Sequence, residues 1–217
     1  MKKCIVLANG QAPPKKRIDY LRDRGYSTLI CADGGANSAF KYHIVPDVII
    51  GDLDSIRKEV YDYYCDKCKV IRITRQDDTD VEKCLKYAIA HKYQDAVLLG
   101  VTGNRLDHSF CNLGVTLKFS SRIKITLIHG KSLLRVYEDK VNLTTIPGET
   151  ISVYGFDSKT KFISSGLKYP LKNFVLPFGV RESTSNVALG NKIELNIKGG
   201  KAFVIRDFEM LRKNGII

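Results

Sequence analysis

The sequence predicts an α/β domain with a Rossmann-like, three-layer parallel sheet, followed by an antiparallel β-sandwich or barrel domain. Three observations lead to this fold class. Up to about residue 130, short apolar runs alternate with helix-like spacing, which is typical of a parallel sheet covered by helices. Beyond that point the runs become short and β-like. Polar, glycine-containing clusters follow the strands of the first part. We therefore predict domains at residues 1–130 and 131–217.

The strands of the first domain are rich in Val, Ile and Leu and lack a clean polar alternation, as expected for strands buried on both faces. They are predicted at Cys4–Leu7, Thr28–Cys31, Val48–Ile50, Val70–Arg72, Ala96–Gly100 and Lys124–Ile128. Apolar residues recur at helical spacing between them. The predicted helices are Lys15–Arg24, Ala36–Tyr42, Ile56–Tyr64, Val81–His91 and His108–Phe119.

The second domain contains short β-like runs separated by turn residues. Asn191 marks one turn, and Gly199-Gly200 separates two runs at the spacing of a β-hairpin. The predicted strands are Leu133–Tyr137, Thr150–Tyr154, Lys161–Ser164, Thr184–Ala188, Lys192–Ile197 and Ala202–Ile205. This pattern predicts the antiparallel sandwich or barrel.

Composition and charge limit where the protein can be located in the cell and what kinds of partner it can bind. The apolar fraction is 44% and the formal charge is +12. No stretch approaches the ~18 apolar residues that a membrane span requires, and the first apolar run is too short for the core of a signal peptide. Lys and Arg are scattered rather than clustered, so we expect neither a nucleic-acid partner nor a membrane partner. We expect a cytoplasmic protein with reduced cysteines, and a redox or a packing role stays open for the Cys65–Cys68 pair.

Two carboxylates, Asp52 and Asp54, directly follow the buried strand Val48–Ile50. In an extended segment, residues i and i+2 point to the same side. Both acids would then converge at the carboxyl edge of the sheet, where open α/β sheets place their ligands. Mg²⁺ is usually bound by one or two carboxylates together with substrate phosphates. A turn with solvated acids is the alternative.

Two further clusters follow neighbouring strands. Asp33-Gly34-Gly35-Ala36-Asn37 opens a helix, and its glycines allow the backbone to approach a phosphate. Gln76-Asp77-Asp78-Thr79-Asp80 precedes another helix, where acids and Thr can cap the helix. Capping does not need three acids in four residues, so Asp80 is a candidate metal ligand. Lys83, one turn later, is a candidate phosphate ligand.

The fourth cluster, Gly100 to His108, carries Arg105 and Asp107 on a glycine-containing loop. Arg binds phosphate oxygens in a bidentate manner, and an Asp can act as a base; a surface Arg–Asp pair is the alternative. Together the clusters predict Mg²⁺-dependent transfer of a phosphoryl or pyrophosphoryl group. The chain contains neither a P-loop motif nor the motifs of a protein kinase.

At this point the sequence resembles a known family, the thiamine pyrophosphokinases. The resemblance spans nearly the whole chain. It is carried by Asp33-Gly34-Gly35-Ala36-Asn37, Gly51-Asp52-Leu53-Asp54-Ser55, Asp77-Asp78-Thr79-Asp80, Gly103-Asn104-Arg105-Leu106-Asp107-His108, Thr184-Ser185-Asn186 and Gly166-Leu167-Lys168-Tyr169-Pro170-Leu171. It implies conversion of ATP and thiamine to thiamine diphosphate and AMP, with Mg²⁺. It also implies a homodimer that binds thiamine between its subunits.

The resemblance also implies roles for individual residues. Metal and phosphates would lie at Asp52, Asp54 and Asp80; the transferred group at Gln76, Lys83, Arg105 and Asp107; the nucleotide at Asp33, Gly34, Gly35 and Asn37; and thiamine at Ser185 and Asn186. Either Asp54 or Asp107 would accept the hydroxyl proton.

The chain departs from the family pattern at Leu53, at Asn104, and in having no Trp to stack on thiamine; Tyr169 and Phe178 are candidates for that contact. Two other functions are also compatible with these residues. They are a Mg²⁺-dependent phosphotransferase for a different alcohol and a non-catalytic nucleotide sensor.

Overall fold

The computed structural model describes residues 1–103 and 105–217, so the predicted departure at Asn104 lies outside the described residues. The chain divides into two compact units, Met1–Gly130 and Lys131–Ile217, referred to below as unit 1 and unit 2.

Unit 1 contains a six-stranded, entirely parallel sheet, which confirms the predicted α/β fold class. Each predicted strand is present to within one residue at either end. The strands are β1 (Lys3–Leu7), β2 (Thr28–Ala32), β3 (Val48–Gly51), β4 (Lys69–Arg72), β5 (Asp95–Leu99) and β6 (Lys124–His129). Their order across the sheet is β6-β5-β1-β2-β3-β4. The four central strands are nearly or completely buried, as their apolar composition predicts.

Five helices connect these strands. They are α1 (Lys15–Asp23), α2 (Gly35–Lys41), α3 (Lys58–Tyr64), α4 (Asp80–Ala90) and α5 (Leu106–Phe119). Thr79 caps α4, because its side-chain oxygen accepts a hydrogen bond from the Glu82 amide at 3.3 Å. No helix in the described part of the chain combines the length and the apolar character needed to cross a bilayer.

The strand order places the polar clusters together. The chain leaves β1 toward β2 on one side, whereas β5 lies on the other side of β1. Such a reversal of strand order opens a crevice at the carboxyl edge of the sheet. The loops after β1 and β5 meet there, since the amides of Gly10 and Gln11 donate to the carbonyls of Gly100 and Thr102 at 2.7 and 2.9 Å.

Unit 2 is an antiparallel β unit with one short helix, which confirms the second half of the predicted fold class. Its elements are β7 (Ser132–Thr144), β8 (Thr150–Tyr154), β9 (Lys161–Ser165), β10 (Lys172–Val175), β11 (Ser183–Val187), β12 (Lys192–Asp207) and α6 (Phe208–Lys213). The prediction missed β10 and α6, which are only four and six residues long.

The predicted hairpin at Gly199-Gly200 is wrong. The two runs belong to one strand, β12, and both pair with β7 instead of with each other. The register shifts between Ile197 and Lys201, where three residues of β12 have no counterpart on β7. Gly199, with φ +80°, lies in this bulge. A glycine pair between two apolar runs fits a bulge as well as a turn.

The bulge keeps one side of β12 facing the core. Alternate residues face the core before it and after it, but an odd number of inserted residues moves the pattern from odd to even positions. The residues of β12 that belong to the hydrophobic core cluster are Ile193, Leu195, Ile197, Ala202 and Val204. Near the end of this strand, the guanidinium of Arg206 binds the fully buried carboxylate of Glu149 at 2.6 and 2.8 Å. The charge of Glu149 is therefore neutralised inside unit 2.

Candidate active site

A cavity of about 640 Å³ lies in unit 1, where the loops after the first five strands converge. All four predicted clusters of unit 1 contribute to its wall, together with the loop after β1. The lining residues include Asn9, Gly10, Asp33, Gly34, Asp52, Gln76, Asp80, Lys83 and Arg105. The crevice predicted from the strand order is therefore polar and carries both signs of charge.

Three carboxylates form a group that can hold a metal ion. One oxygen each of Asp33, Asp52 and Asp80 lies within 4.8 Å of the other two. Oδ1 of Asp33 is buried and has no hydrogen-bond partner among the described residues. A buried carboxylate oxygen without a partner is costly unless a cation binds it. Hard oxygen ligands of this kind suit Mg²⁺, so the residues present fit the predicted metal.

The position of Asp33 depends on unusual backbone geometry at the end of β2. Its φ is +41°, a left-handed value that Asp tolerates better than most residues. The side chain also lies against Gly51, where a Cβ atom would come within 2.6 Å of the Cβ of Asp33. Burial, reinforced by the carboxylates of Asp80 and Asp54, raises the pKa of Asp33 to about 6. A bound cation would favour its ionised form.

The extended geometry predicted between Asp52 and Asp54 is wrong, because Leu53 has a φ of +69° and the chain turns there. The two acids still lie close together, since the Asp54 amide donates to Asp52 Oδ1 at 3.5 Å. Asp52 joins the metal-binding group. Its pKa is lowered, mainly because Gln76 Nε2 donates a hydrogen bond to its Oδ2 at 3.1 Å. The predicted Gln76 therefore acts on the site through Asp52.

Asp54 lies outside the three-carboxylate group, and Asp33, which we assigned to the nucleotide, takes part in it. The Asp54 carboxylate accepts a hydrogen bond from Ser55 Oγ at 2.9 Å and is exposed. The backbone amide of Ser55 in turn donates to Asp33 Oδ2 at 3.0 Å. Asp54 is thus a neighbour of the group, and its role as metal ligand or base stays a prediction.

Residues of the Asp33–Asn37 cluster have different surroundings. Gly34 lines the cavity. Gly35 is buried, and a Cβ there would collide with the carbonyl of Leu7. The Asn37 amide is engaged by the loop after β3: Nδ2 donates to the Ser55 carbonyl at 2.9 Å, and Oδ1 accepts from the Arg57 amide at 3.0 Å. Asn37 therefore fastens the loop that carries Asp52.

Lys83 lies one turn into α4 and is 3% exposed. Its ammonium group donates to Asp80 Oδ1 at 2.9 Å and lines the cavity. Burying an ammonium group is costly unless it is paired, and Asp80 pairs it here. The start of α4 therefore presents an anion and a cation side by side at the cavity wall.

Arg105 and Asp107 form a bidentate ion pair at the start of α5, and both side chains are well exposed. Arg105 lines the cavity. The guanidinium lowers the pKa of Asp107 to about 2. A carboxylate with so low a pKa is a weak base at neutral pH.

The two predicted thiamine residues lie in unit 2 and differ in burial. Ser185 is exposed and has a φ of +54°. Asn186 is 2% exposed, and its side chain binds the backbone of Tyr169. Its Oδ1 accepts a hydrogen bond from the Tyr169 backbone amide at 3.1 Å, and its Nδ2 donates one to the Tyr169 carbonyl at 2.7 Å. Asn186 therefore shapes the loop at Tyr169. The rings of Tyr169 and Phe178 are largely exposed.

All six cysteines are free thiols. Burial raises the pKa of Cys68 to about 11. A thiol with a raised pKa is a poor nucleophile, which disfavours the redox interpretation of the Cys65–Cys68 pair.

The sequence reasoning also missed the loop after β1. Asn9 and Gly10 line the cavity, and the available signal was an Asn-Gly pair one residue after the first predicted strand.

Comparison with known proteins gives consistent matches over the chain. The catalytic-domain model of thiamin pyrophosphokinase matches residues 24–127, and the vitamin B1 binding domain model of the same enzyme matches residues 135–201. Thiamine pyrophosphokinase 1 of Arabidopsis thaliana is 30% identical over 194 residues, covering 76% of this chain and 72% of the relative.

This chain belongs to the thiamine pyrophosphokinase family.

Other relatives extend the similarity within this family. Thiamin pyrophosphokinase 1 of Caenorhabditis elegans is 28% identical over 217 residues, covering 93% of this chain and 88% of the relative. The crystal structure of thiamine pyrophosphokinase from Bacillus subtilis has a TM-score of 0.81 at 23% identity, covering 95% and 99% of the two chains. The structure from Candida albicans has a TM-score of 0.82 at 18% identity, covering 94% and 88%. The two structures support the fold, and the family models and relatives confirm the predicted family and its enzymatic activity.

Proposed function

We propose that the cavity of unit 1 binds ATP with Mg²⁺ and is the site of the family's reaction. In that reaction the enzyme transfers pyrophosphate from ATP to the hydroxyl group of thiamine, and AMP leaves. The observation that carries the proposal is the joint placement of the Asp33–Asp52–Asp80 group, Lys83 and Arg105 on one cavity wall. Such a wall matches a polyphosphate with its cation.

The metal would be held by Asp33, Asp52 and Asp80. A bound Mg²⁺ supplies charge neutralisation at the phosphoryl oxygens. Gln76 fixes the carboxylate of Asp52 by its hydrogen bond. Asn37 fastens the same loop through the Ser55 carbonyl and the Arg57 amide. These contacts hold the ligands before substrate arrives, which lowers the cost of organising the site.

Lys83 and Arg105 are the proposed phosphate ligands. Lys83 is held in the wall by Asp80, and its remaining N–H donors can point toward phosphate oxygens. The exposed guanidinium of Arg105 can exchange Asp107 for a phosphate in the same bidentate geometry. Asp107 then loses the partner that lowers its pKa. Asp54 or Asp107 would accept the proton of the thiamine hydroxyl.

Thiamine recognition is proposed for unit 2. Ser185 is exposed, and Asn186 shapes the neighbouring loop at Tyr169. The match of the vitamin B1 binding domain model to residues 135–201, which include both residues, supports this assignment. A cytoplasmic location is proposed with it, because ATP is available there and free thiols persist in a reducing compartment.

The proposed reaction predicts a specific pair of products. ATP labelled at the γ-phosphorus should pass its label to thiamine diphosphate, and AMP should form in equal amount, because attack at the β-phosphorus transfers both terminal phosphates. Chromatography of the nucleotides and of the labelled product measures this. ADP together with thiamine monophosphate would contradict the reaction. AMP release that ignores thiamine would favour a different alcohol, and no release would favour a sensor.

We also propose a homodimer in which each site joins unit 1 of one subunit to unit 2 of the other. Mixing two inactive variants tests this arrangement. Asp80→Asn damages the metal group, and Ser185→Arg places a cation where cationic thiamine would bind. In a mixed two-fold dimer, one site receives both lesions and the other none. Random re-pairing should restore roughly a quarter of wild-type activity. No recovery after verified subunit exchange would exclude a shared site.

Cys111 provides a direct test of the ATP site. It lines the cavity and is exposed, whereas Cys65 is exposed on another surface. We expect ATP with Mg²⁺ to slow alkylation of Cys111 and to leave that of Cys65 unchanged. Mass spectrometry of peptides after timed labelling measures both rates in one sample. Equal rates at Cys111 with and without saturating ATP would contradict binding in this cavity.

A further inference from the structure

The segment from Arg75 to Lys86 carries four acids, of which the metal group uses Asp80. Asp77 is exposed at the cavity, whereas the other two acids are nearly buried and paired with cations. Asp78 and Glu82 both line the cavity, and their side chains are only 6% and 7% exposed. Neither takes part in the three-carboxylate group. Two nearly buried carboxylates beside a polyphosphate site would repel the substrate unless they are neutralised.

Three cations neutralise these acids. Lys86 Nζ lies 2.5 Å from Asp78 Oδ1 and 3.2 Å from Glu82 Oε1. Arg75 binds the other oxygen of Asp78 at 2.5 Å, and Lys118 of α5 binds Glu82 at 2.6 Å. Both acids line the cavity but, in the described part of the chain, none of these cations does. The cations therefore bind the two acids from outside the cavity lining.

We propose that Lys86 is a positioning residue for ATP binding: by bridging Asp78 and Glu82, it holds the two carboxylates together and offsets their charge at the cavity wall. The inference rests on the proposed function, because it assumes that the cavity binds ATP. Arg75 and Lys118 each bind one of the two acids, whereas Lys86 binds both.

The bridge also reaches the metal group through the backbone. Asp78 lies two residues after Gln76, which holds Asp52. Lys86 lies in α4, the helix that begins with Asp80. Fastening Asp78 to α4 therefore fixes the loop that carries Gln76 relative to the helix that carries Asp80. The same contact serves electrostatic neutralisation and loop position.

Replacement of Lys86 separates the two charges from their shared cation. In Lys86→Met the wall gains one net negative charge. We expect the dissociation constant of ATP, measured by calorimetry with Mg²⁺ and without thiamine, to rise about tenfold. Lys86→Arg should stay within about twofold of wild type, since it keeps the charge. Lys140→Met is the matched control, because it breaks an exposed ion pair with Glu194 in unit 2 and should leave ATP binding unchanged.

A second substitution distinguishes neutralisation from general damage. Lys86→Met combined with Asp78→Asn removes one of the two carboxylates that Lys86 bridged and restores the net charge of the wall, so ATP binding should recover most of the tenfold loss. A merely structural contact would lower the melting temperature further in this double variant, without recovery. Asp78→Asn combined with Glu82→Gln in the presence of Lys86 should bind ATP at least as tightly as wild type, and this variant serves if Lys86→Met fails to fold.

Three results would overturn the inference: unchanged ATP binding by folded Lys86→Met, no recovery in the Lys86/Asp78 double variant, or weaker binding after removal of both acids. These results concern ATP binding alone. Failure of the proposed function would appear separately, as absence of AMP release from ATP and thiamine by the wild-type enzyme.

Discussion

Asp52→Asn and Asp80→Asn are each expected to lower turnover at least 100-fold while the protein stays folded. Each substitution keeps the size of the side chain but removes one anionic ligand from a group whose oxygens lie within 4.8 Å of one another. A metal ligand of this kind contributes several kcal/mol to transition-state stabilisation, and ~3 kcal/mol corresponds to about two orders of magnitude in rate. Initial rates of AMP formation at saturating ATP and thiamine measure the effect.

The same series separates Asp33 from Asp54. If Asp33 is the third ligand, Asp33→Asn should raise the Mg²⁺ concentration needed for half-maximal activity, as Asp52→Asn does. Asp54→Asn should then lower turnover with little change in that concentration. Asp66→Asn, an exposed acid of the α3–β4 connection, is the control and should behave as wild type. Near-normal turnover in folded Asp52→Asn and Asp80→Asn would refute the metal assignment.

The parallel sheet could be predicted from the sequence because its strands are buried on both faces. A short apolar run such as Val48–Ile50 indicates a buried strand when it lies between two helical patterns and precedes a polar loop. The carboxyl edge then followed from topology alone, and with it the meeting of clusters that are far apart in the chain. The positions of Asp52, Asp80 and Lys83 at the cavity needed no further information.

Backbone geometry inside the loops could not be predicted in the same way. Asp33 enters the metal-binding group through a left-handed φ of +41°, and the chain turns between Asp52 and Asp54 through a φ of +69° at Leu53. Neither Asp nor Leu at these positions indicates a left-handed conformation from sequence alone, whereas a glycine would have indicated one. The bulge at Gly199 is the opposite case, because glycine was present but its sequence context fits a turn and a bulge equally well. Side-chain partners, such as Asn37 with Ser55, depend on these details.

Met at Lys83 is the other substitution with a large expected effect. The ammonium group is buried at the cavity wall and bound to Asp80. Met retains most of the side-chain volume and removes the charge. The variant should therefore fold, but it loses a donor to the phosphates and leaves Asp80 without its cation. Charge stabilisation of a transferred phosphoryl group accounts for much of catalysis in such enzymes, so we expect turnover to fall at least 100-fold. Lys15→Met, at an exposed position of α1, should have no effect.

The cavity left by a shorter side chain offers a sharper version of this test. Lys83→Ala removes the same charge and opens a space between Asp80 and the substrate. Small alkylammonium ions added to the assay should enter that space, bind Asp80 and restore part of the lost turnover, in proportion to their concentration until the space is filled. Rescue should depend on the size of the ion. It should be absent when Lys83→Ala is combined with Asp80→Asn, because the anion that would hold the ammonium ion is then missing. Normal turnover in Lys83→Met would exclude Lys83 from catalysis. Loss of turnover without rescue by any amine would mean that Lys83 acts by fixing the start of α4, and that its charge is not what the transferred group needs.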